Sequence, residues 1–244
     1  MADFHYEIND GVAVISWNTP TRNMNIMDLK SLSDLEIKID KALSDNDVIG
    51  IIITSGKSNF SGGLDLGCIS KIPGIISENF QENLFKGLKV FTNLTRKIEL
   101  AGMNNKNTDG KPIVCTLDGD ALGVGFEIAL SCHKIFVSDN PIGKLGFPDI
   151  LIGMPPVAGS ISRLIRKIDK DLCVSLLQDG EYINFENAIK HGLVDEMKPS
   201  DELVPFAMQW IKSNLKKNII KPWDMEDILL KKKYLKSFQV WMVR

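Results

Sequence analysis

The sequence predicts an α/β domain with a helical C-terminal part. Short β-branched runs alternate with amphipathic stretches through the first part of the chain, in the order hairpin, helix, strand, helix, strand, helix, strands. The run Val48–Thr54 is apolar without alternation, as a strand covered on both faces is. From Ala158 onward the pattern turns mainly helical, and no internal repeat breaks the order.

Taken in order, Phe4–Ile8 and Val12–Trp17 flank Asn9-Asp10-Gly11 and read as a hairpin with an Asp-Gly turn. After the polar loop Asn18–Asn25, Leu29, Leu32, Leu35, Ile39, Ala42 and Leu43 recur at helical spacing, with Asp28 placed to cap the helix. A second helix is expected over Glu78–Leu100, with Leu84, Leu88, Phe91, Leu94 and Ile98 on one stripe, and then a surface loop over Gly102–Lys111. Pro112–Leu117 reads as a strand, followed by a glycine turn and a helix to about Ser131. Short strands follow at Lys134–Ser138 and Ile142–Leu145, around an Asp-Asn-Pro turn. A last short strand is expected at Leu193–Met197, and Ser200 is expected to cap a helix running to about Lys217. Lys231-Lys232-Lys233, with apolar residues on either side, is read as a solvated helix face.

The 244 residues suffice for a sizeable core, and 44% hydrophobic with 25% charged residues is an ordinary globular composition. A formal net charge of −2 supplies no attraction to nucleic acid or to a membrane surface. Cys68, Cys115, Cys132 and Cys173 form no Cys-x-x-Cys pair and read as reduced core thiols. The N-terminus lacks a signal-peptide pattern, and no run reaches the ~18 apolar residues of a membrane span, so a cytoplasmic protein is expected.

Several chemistries are set aside by what is missing. Gly123-Val124-Gly125 lacks the third glycine of a dinucleotide fingerprint, because Ile128 stands there. There is no P-loop and no G-x-S-x-G elbow. His5, His133 and His191 have no metal spacing, so no metal site is expected. What remains is two glycine-bearing turns, Phe60-Ser61-Gly62-Gly63-Leu64-Asp65-Leu66 and Gly119-Asp120-Ala121-Leu122-Gly123-Val124-Gly125, and two acids, Glu127 and Asp149. The second turn runs straight into an apolar helix, whose first amides lack internal partners and face any nearby negative charge. Each feature also has a plain reading: the turns as tight connections, Glu127 as a surface residue, Asp149 as a helix cap. Phe126, Ile128, Ala129 and Leu130 around Glu127 favour its burial.

FSGGLDL, GDALGVGFEIALSCH, LGFPDILIG and NAIKHGLVDEM, in this order and spacing, resemble the crotonase (enoyl-CoA hydratase/isomerase) superfamily over roughly residues 4–217. KPIVCTLDGDALGVGFEIALSCHKIFVSDNP and the later KPWD at Lys221–Asp224 are similar to the hydratase domain that opens the multifunctional α-subunit of fatty acid β-oxidation. The resemblance implies a spiral of ββα units, with a crotonase-like core over 1–198 and a C-terminal helical segment over 199–244. It implies hydration of a 2-trans-enoyl-CoA to a 3-hydroxyacyl-CoA, with an isomerase using Glu127 alone, or a non-catalytic acyl-CoA-binding homologue, as alternatives.

By motif, the resemblance makes the main-chain N–H groups of Leu64 and Val124 the oxyanion hole. It makes Glu127 the acid that activates water, and puts Asp149, one methylene short, where a second glutamate delivers a proton. β-branched Val124 raises a question of fit, since it cannot comfortably take the positive φ open to glycine. Arg22, Met24, Gly63, Asp65, Leu66, Gly123 and Pro156 fall on segments that hold CoA or the acyl group. For Arg22, plain surface charge is an equal reading. Coenzyme A would arrive as part of the substrate, with no separate cofactor. The implied partners are further copies in a trimer or hexamer, or a dehydrogenase domain or subunit.

Overall fold

The computed structural model describes residues 2–67, 79–103, 109–215 and 219–224. Strands β1 (Phe4–Asn9) and β2 (Val12–Trp17) pair antiparallel. Asp10 and Gly11 both take positive φ, 51° and 79°, which is what a two-residue hairpin turn of the primed type demands. Helix α1 (Leu29–Ser44) starts where Asp28 accepts the Ser31 N–H at 2.8 Å, as its N-cap position predicts. Then follow β3 (Gly50–Ser55), α2 (Phe80–Leu100), β4 (Ile113–Leu117), β5 (Ala121–Leu122), α3 (Val124–Ser131), β6 (Lys134–Ser138) and β7 (Lys144–Gly146). A 3-10 turn at Pro148–Ile152 leads to α4 (Ser160–Lys167) and α5 (Lys170–Leu177). The chain continues through β8 (Tyr182–Asn184), α6 (Phe185–Lys190), β9 (Glu196–Lys198) and α7 (Leu203–Ser213).

The large sheet has the order β1-β2-β3-β4-β6-β9, parallel throughout except for the opening hairpin. A small sheet, β5-β7-β8, stands beside it. Each pass of the chain lays one strand in the large sheet, touches the small one and returns by a helix. Thus β4, β5 and α3 form one unit, and β6, β7 and α4 the next. The pass after β3 touches β5 through a single parallel bridge at Ser61 and returns through α2. This is the expected spiral of ββα units.

The core lies on both faces of the large sheet. On one, Ile15, Trp17, Ile51, Ile53 and Cys115 meet Leu35, Ile39, Leu94, Ile98 and Phe126 from α1, α2 and α3. On the other, Val12, Val14, Ile52, Val114 and Phe136 are covered by Leu203, Ala207 and Ile211 of α7, with Trp210 packed alongside. Helix α7 therefore folds back on its own domain.

Local structure departs from expectation in five places. The strand expected at Ile142–Leu145 forms only over Lys144–Gly146, because Asn140 captures the Ile142 N–H and prolongs the turn, leaving Ile142 75% exposed. Strands β5 and β8 were not anticipated; two and three residues give too short a period to read. The strand expected from Leu193 begins at Glu196, since the Leu193 and Val194 N–H groups close the end of α6 on Ala188. Ser200 does not cap α7. Its hydroxyl donates to Asp118 at 2.8 Å, residues Ser200–Glu202 form a 3-10 turn, and α7 starts at Leu203 and ends at Ser213. The Lys231–Lys233 run lies outside the described residues. No helix among the described residues is long and apolar enough to cross a membrane, and no group of three or more His, Cys, Asp or Glu among them could hold a metal ion.

Candidate active site

The two glycine turns, some sixty residues apart in sequence, are laced side by side. Asp120 O accepts the N–H of Phe60 and of Ser61, and Leu122 N–H donates back to Ser61 O at 3.0 Å. Helix α3 rides directly on the first turn, since a Cβ on Gly125 would run into Ser61 Cβ and come within 2.6 Å of its Oγ. Leu64 lies between two hydrogen bonds to Met27, from Met27 N–H to Gly63 O and from Asp65 N–H to Met27 O, which turns its own N–H the other way. Val124 opens α3 and so has no acceptor one turn earlier within the helix. Among the described residues, neither of these two N–H groups is donated to a protein acceptor. Positive φ falls on Gly63 (106°) and Gly123 (51°), not on Leu64 or Val124, so the glycines absorb the strain and Val124 fits.

Glu127 is 1% exposed. Its carboxylate is gripped by the start of α4: Oε1 accepts Val157 N–H at 2.9 Å, and Oε2 accepts Ala158 N–H at 2.8 Å and Ser160 N–H at 3.0 Å. Burial pushes its pKa up, opposed by these amide hydrogen bonds, and burial prevails. Asp149 belongs to the first turn of the 3-10 segment after Pro148. Its Oδ2 lies against Gly123, and 3.4 Å from where a Cβ on Gly63 would stand. Partial burial raises its pKa too.

Leu64, Gly123, Val124, Glu127, Asp149 and Pro156 line one cavity, with Phe147, Met154, Pro155 and Val157. Its volume is about 10 Å³, room for one water molecule. Gly63 adjoins it through Asp149. Arg22, Met24, Asp65 and Leu66 lie outside this lining. Arg22 pairs with Asp65 at 3.1 Å on the surface, Met24 packs against the Gly62 turn, and Leu66 is exposed. The amides of Val157, Ala158 and Ser160 were not anticipated from sequence. Their signal was a buried acid upstream of a Pro-Pro…Gly helix start, whose free amides need an acceptor.

The fold defines the class. An enoyl-CoA hydratase from Thermoplasma volcanium superposes with a TM-score of 0.76 over 99% of this chain and 93% of that one, at 20% identity. Pseudomonas aeruginosa DspI gives 0.76 over 100% and 96%, at 19% identity. The chain belongs to the enoyl-CoA hydratase/isomerase family, whose model matches residues 7–234. Among its relatives, the peroxisomal fatty acid β-oxidation multifunctional protein MFP2 of Arabidopsis thaliana is 32% identical over 88% of this chain and 27% of its own length. The 2,3-dehydroadipyl-CoA hydratase of Escherichia coli (strain K12) is 30% identical over 81% and 70%. The chain thus spans about a quarter of the multifunctional relatives it matches.

Proposed function

We propose that the chain hydrates a 2-trans-enoyl-CoA to the 3-hydroxyacyl-CoA, as a step of fatty acid β-oxidation. The observation that carries this reading is the pair of unengaged main-chain donors, Leu64 and Val124, on two laced turns beside two buried or half-buried carboxyl groups. The thioester oxygen would accept both N–H groups as it gains enolate charge; losing one such donor typically costs about 10²–10³ in rate. Glu127 would take a proton from water as its oxygen bonds to the β-carbon, and the π electrons would move toward the thioester oxygen. Asp149, in its acid form, would then deliver a proton to the α-carbon. Arg22, Met24, Gly63, Asp65 and Leu66 would meet the CoA moiety, and Gly123 and Pro156 the acyl end. CoA enters with the substrate, so the reaction calls for no separate cofactor. Partner chains, whether further copies or a dehydrogenase unit, and a cytoplasmic setting belong to the same reading.

Two observations favour alternatives. With Asp149 one methylene short, Glu127 alone could shuttle a proton in an isomerase. The occupied Glu127 oxygens suit a homologue that binds acyl-CoA without turnover. The discriminating experiment follows the conjugated enoyl-thioester absorbance in a chain-length series. Hydration predicts its loss, and a drop of about 10²-fold or more in Glu127→Gln. An equally active Glu127→Gln refutes the role of that residue, and tight binding without turnover establishes the non-catalytic alternative.

A further inference from the structure

Glu127 is held by a loop that is itself held from the far end of the chain. The Ala158 carbonyl, one peptide from the amides that grip Glu127, accepts Arg163 Nη1 at 2.7 Å and Thr95 Oγ1 at 2.6 Å. Arg163 is 5% exposed, and Gly159 takes φ 92° beneath it: a Cβ there would stand 2.8 Å from Nη1. Its Nε donates to Glu99 Oε1 at 3.1 Å, and Glu99 is as deeply buried. Two further donors converge on that carboxylate, Arg96 Nη1 at 2.7 Å and Trp223 Nε1 at 3.1 Å. Arg96 in turn forms a two-pronged pair with Asp224, at 2.7 and 2.6 Å. Lys221, in the same short segment, donates to the carbonyl of Cys132, which caps the C-terminal end of the helix that carries Glu127.

We propose that Arg163 is a positioning residue for Glu127, and that the segment Lys221–Asp224 locks it in that role through Glu99 and Arg96. A buried guanidinium has five donors to satisfy and a fixed fork, so its orientation follows its acceptors. With Glu99 fixed by Trp223 and the Arg96–Asp224 pair, Arg163 can point only one way, and together with Thr95 it sets the Ala158 carbonyl. The three amides at 157–160 then stay aimed at Glu127. The proposal rests on the reading of Glu127 as the acting carboxylate.

The environment of Glu127 contains few other charges. Arg96 and Glu99 on α2 and Arg163 on α4 belong to this network, and the strands packed on α3, IVCTL and AL, carry none. Asp149 faces the same cavity, and Lys221 sits at the end of the helix. Neither Asp149 nor Lys221 is altered in the variants below.

Arg163→Met leaves Glu99 buried with one cation fewer and puts the fold at risk, so the test is read at the distal end, on Asp224→Asn and Trp223→Phe in the full chain. Side-chain ¹³C NMR titration of Glu127 is followed together with steady-state kinetics. Slackening the amides disfavours the carboxylate, so the Glu127 midpoint should rise by roughly 0.4–1.5 units. The acidic limb of kcat should move up with it, and kcat should fall about 2- to 30-fold with KM unchanged. Arg163→Lys, which keeps the cation, should recover part of what Arg163→Met loses. An unchanged Glu127 titration beside a lowered melting temperature overturns the proposal and leaves the segment purely structural. If the titration shifts but no variant, nor the wild type, turns over enoyl thioesters, the positioning stands and the hydratase reading falls.

Discussion

Glu127 and Asp149 are both carboxyl groups on one small cavity, but they are built differently. Glu127 is walled in and held by three amides, whereas Asp149 meets the cavity from a 3-10 turn and lies against the two glycines. Burial raises both pKa values, and only for Glu127 do amide hydrogen bonds work against that rise. That asymmetry suits a division of labour in which Asp149 donates and Glu127 accepts. A donor is lost as pH rises through its pKa, so hydration should decline on the alkaline side of an optimum. Asp149→Asn should lower the hydration rate by about 10²-fold or more, and Asp149→Glu should at least restore it. Steady-state hydration rates of the two variants decide the matter, and a fully active Asp149→Asn removes Asp149 as the proton donor.

Among the elements, α3 is the one whose placement the site depends on most. It starts at the glycine turn, carries Glu127, and sits so close to the first turn that position 125 tolerates no side chain. Gly125→Ala would gain about 1 kcal/mol of helix propensity. The contact is with Ser61 Cβ and Oγ, and a Cβ is fixed to its backbone and cannot swing aside like the tip of a long side chain, so overpacking of that kind costs about 1–3 kcal/mol. The overpacking wins. Such a shift of the helix by roughly 1 Å would also part the two N–H donors, a displacement that can cost about 10²-fold in rate. We expect a lowered melting temperature together with a lowered kcat/KM, read by thermal unfolding and kinetics on the same preparation.

At the scale of the whole molecule, acid stability reports on the interface between α2, α3 and the C-terminal segment. His133 accepts the Ile113 N–H at Nδ1, and burial, helped by the Lys221 ammonium, lowers its pKa to about 3. The unfolded chain binds this proton near pH 6.5, so between about 6.5 and 3 the unfolded state holds more protons than the folded one. Stability from this group is complete above 6.5 and is lost as pH falls, by an amount of order 5 kcal/mol at the limit. His133→Gln should flatten that part of the stability-versus-pH curve, measured by urea unfolding at a series of pH values. A slope identical to wild type would show that other groups govern acid unfolding.

Sequence by itself determined the alternation of strands and helices apart from the short β5 and β8, the hairpin turn, the Asp28 cap, the glycine turns and the family, because each is written in spacing and residue type over a few positions. The glycines that shape the two turns were legible for the same reason, whereas Leu64 and Val124 came as donors only with the family resemblance that those turns carry. Only the tertiary structure decided what holds the acids. The partners of Glu127 lie about thirty residues away, Arg163 and Glu99 are 64 apart, and Trp223 reaches Glu99 across 124 residues. Burial and hydrogen bonding between such distant segments leave no period in the sequence, since they depend on how the ββα units stack. The limits of β7 and β9 and the true start of α7 were lost for a related reason. A single captured amide or hydroxyl, as at Asn140 or Asp118, outweighs the weak local preference of three or four residues.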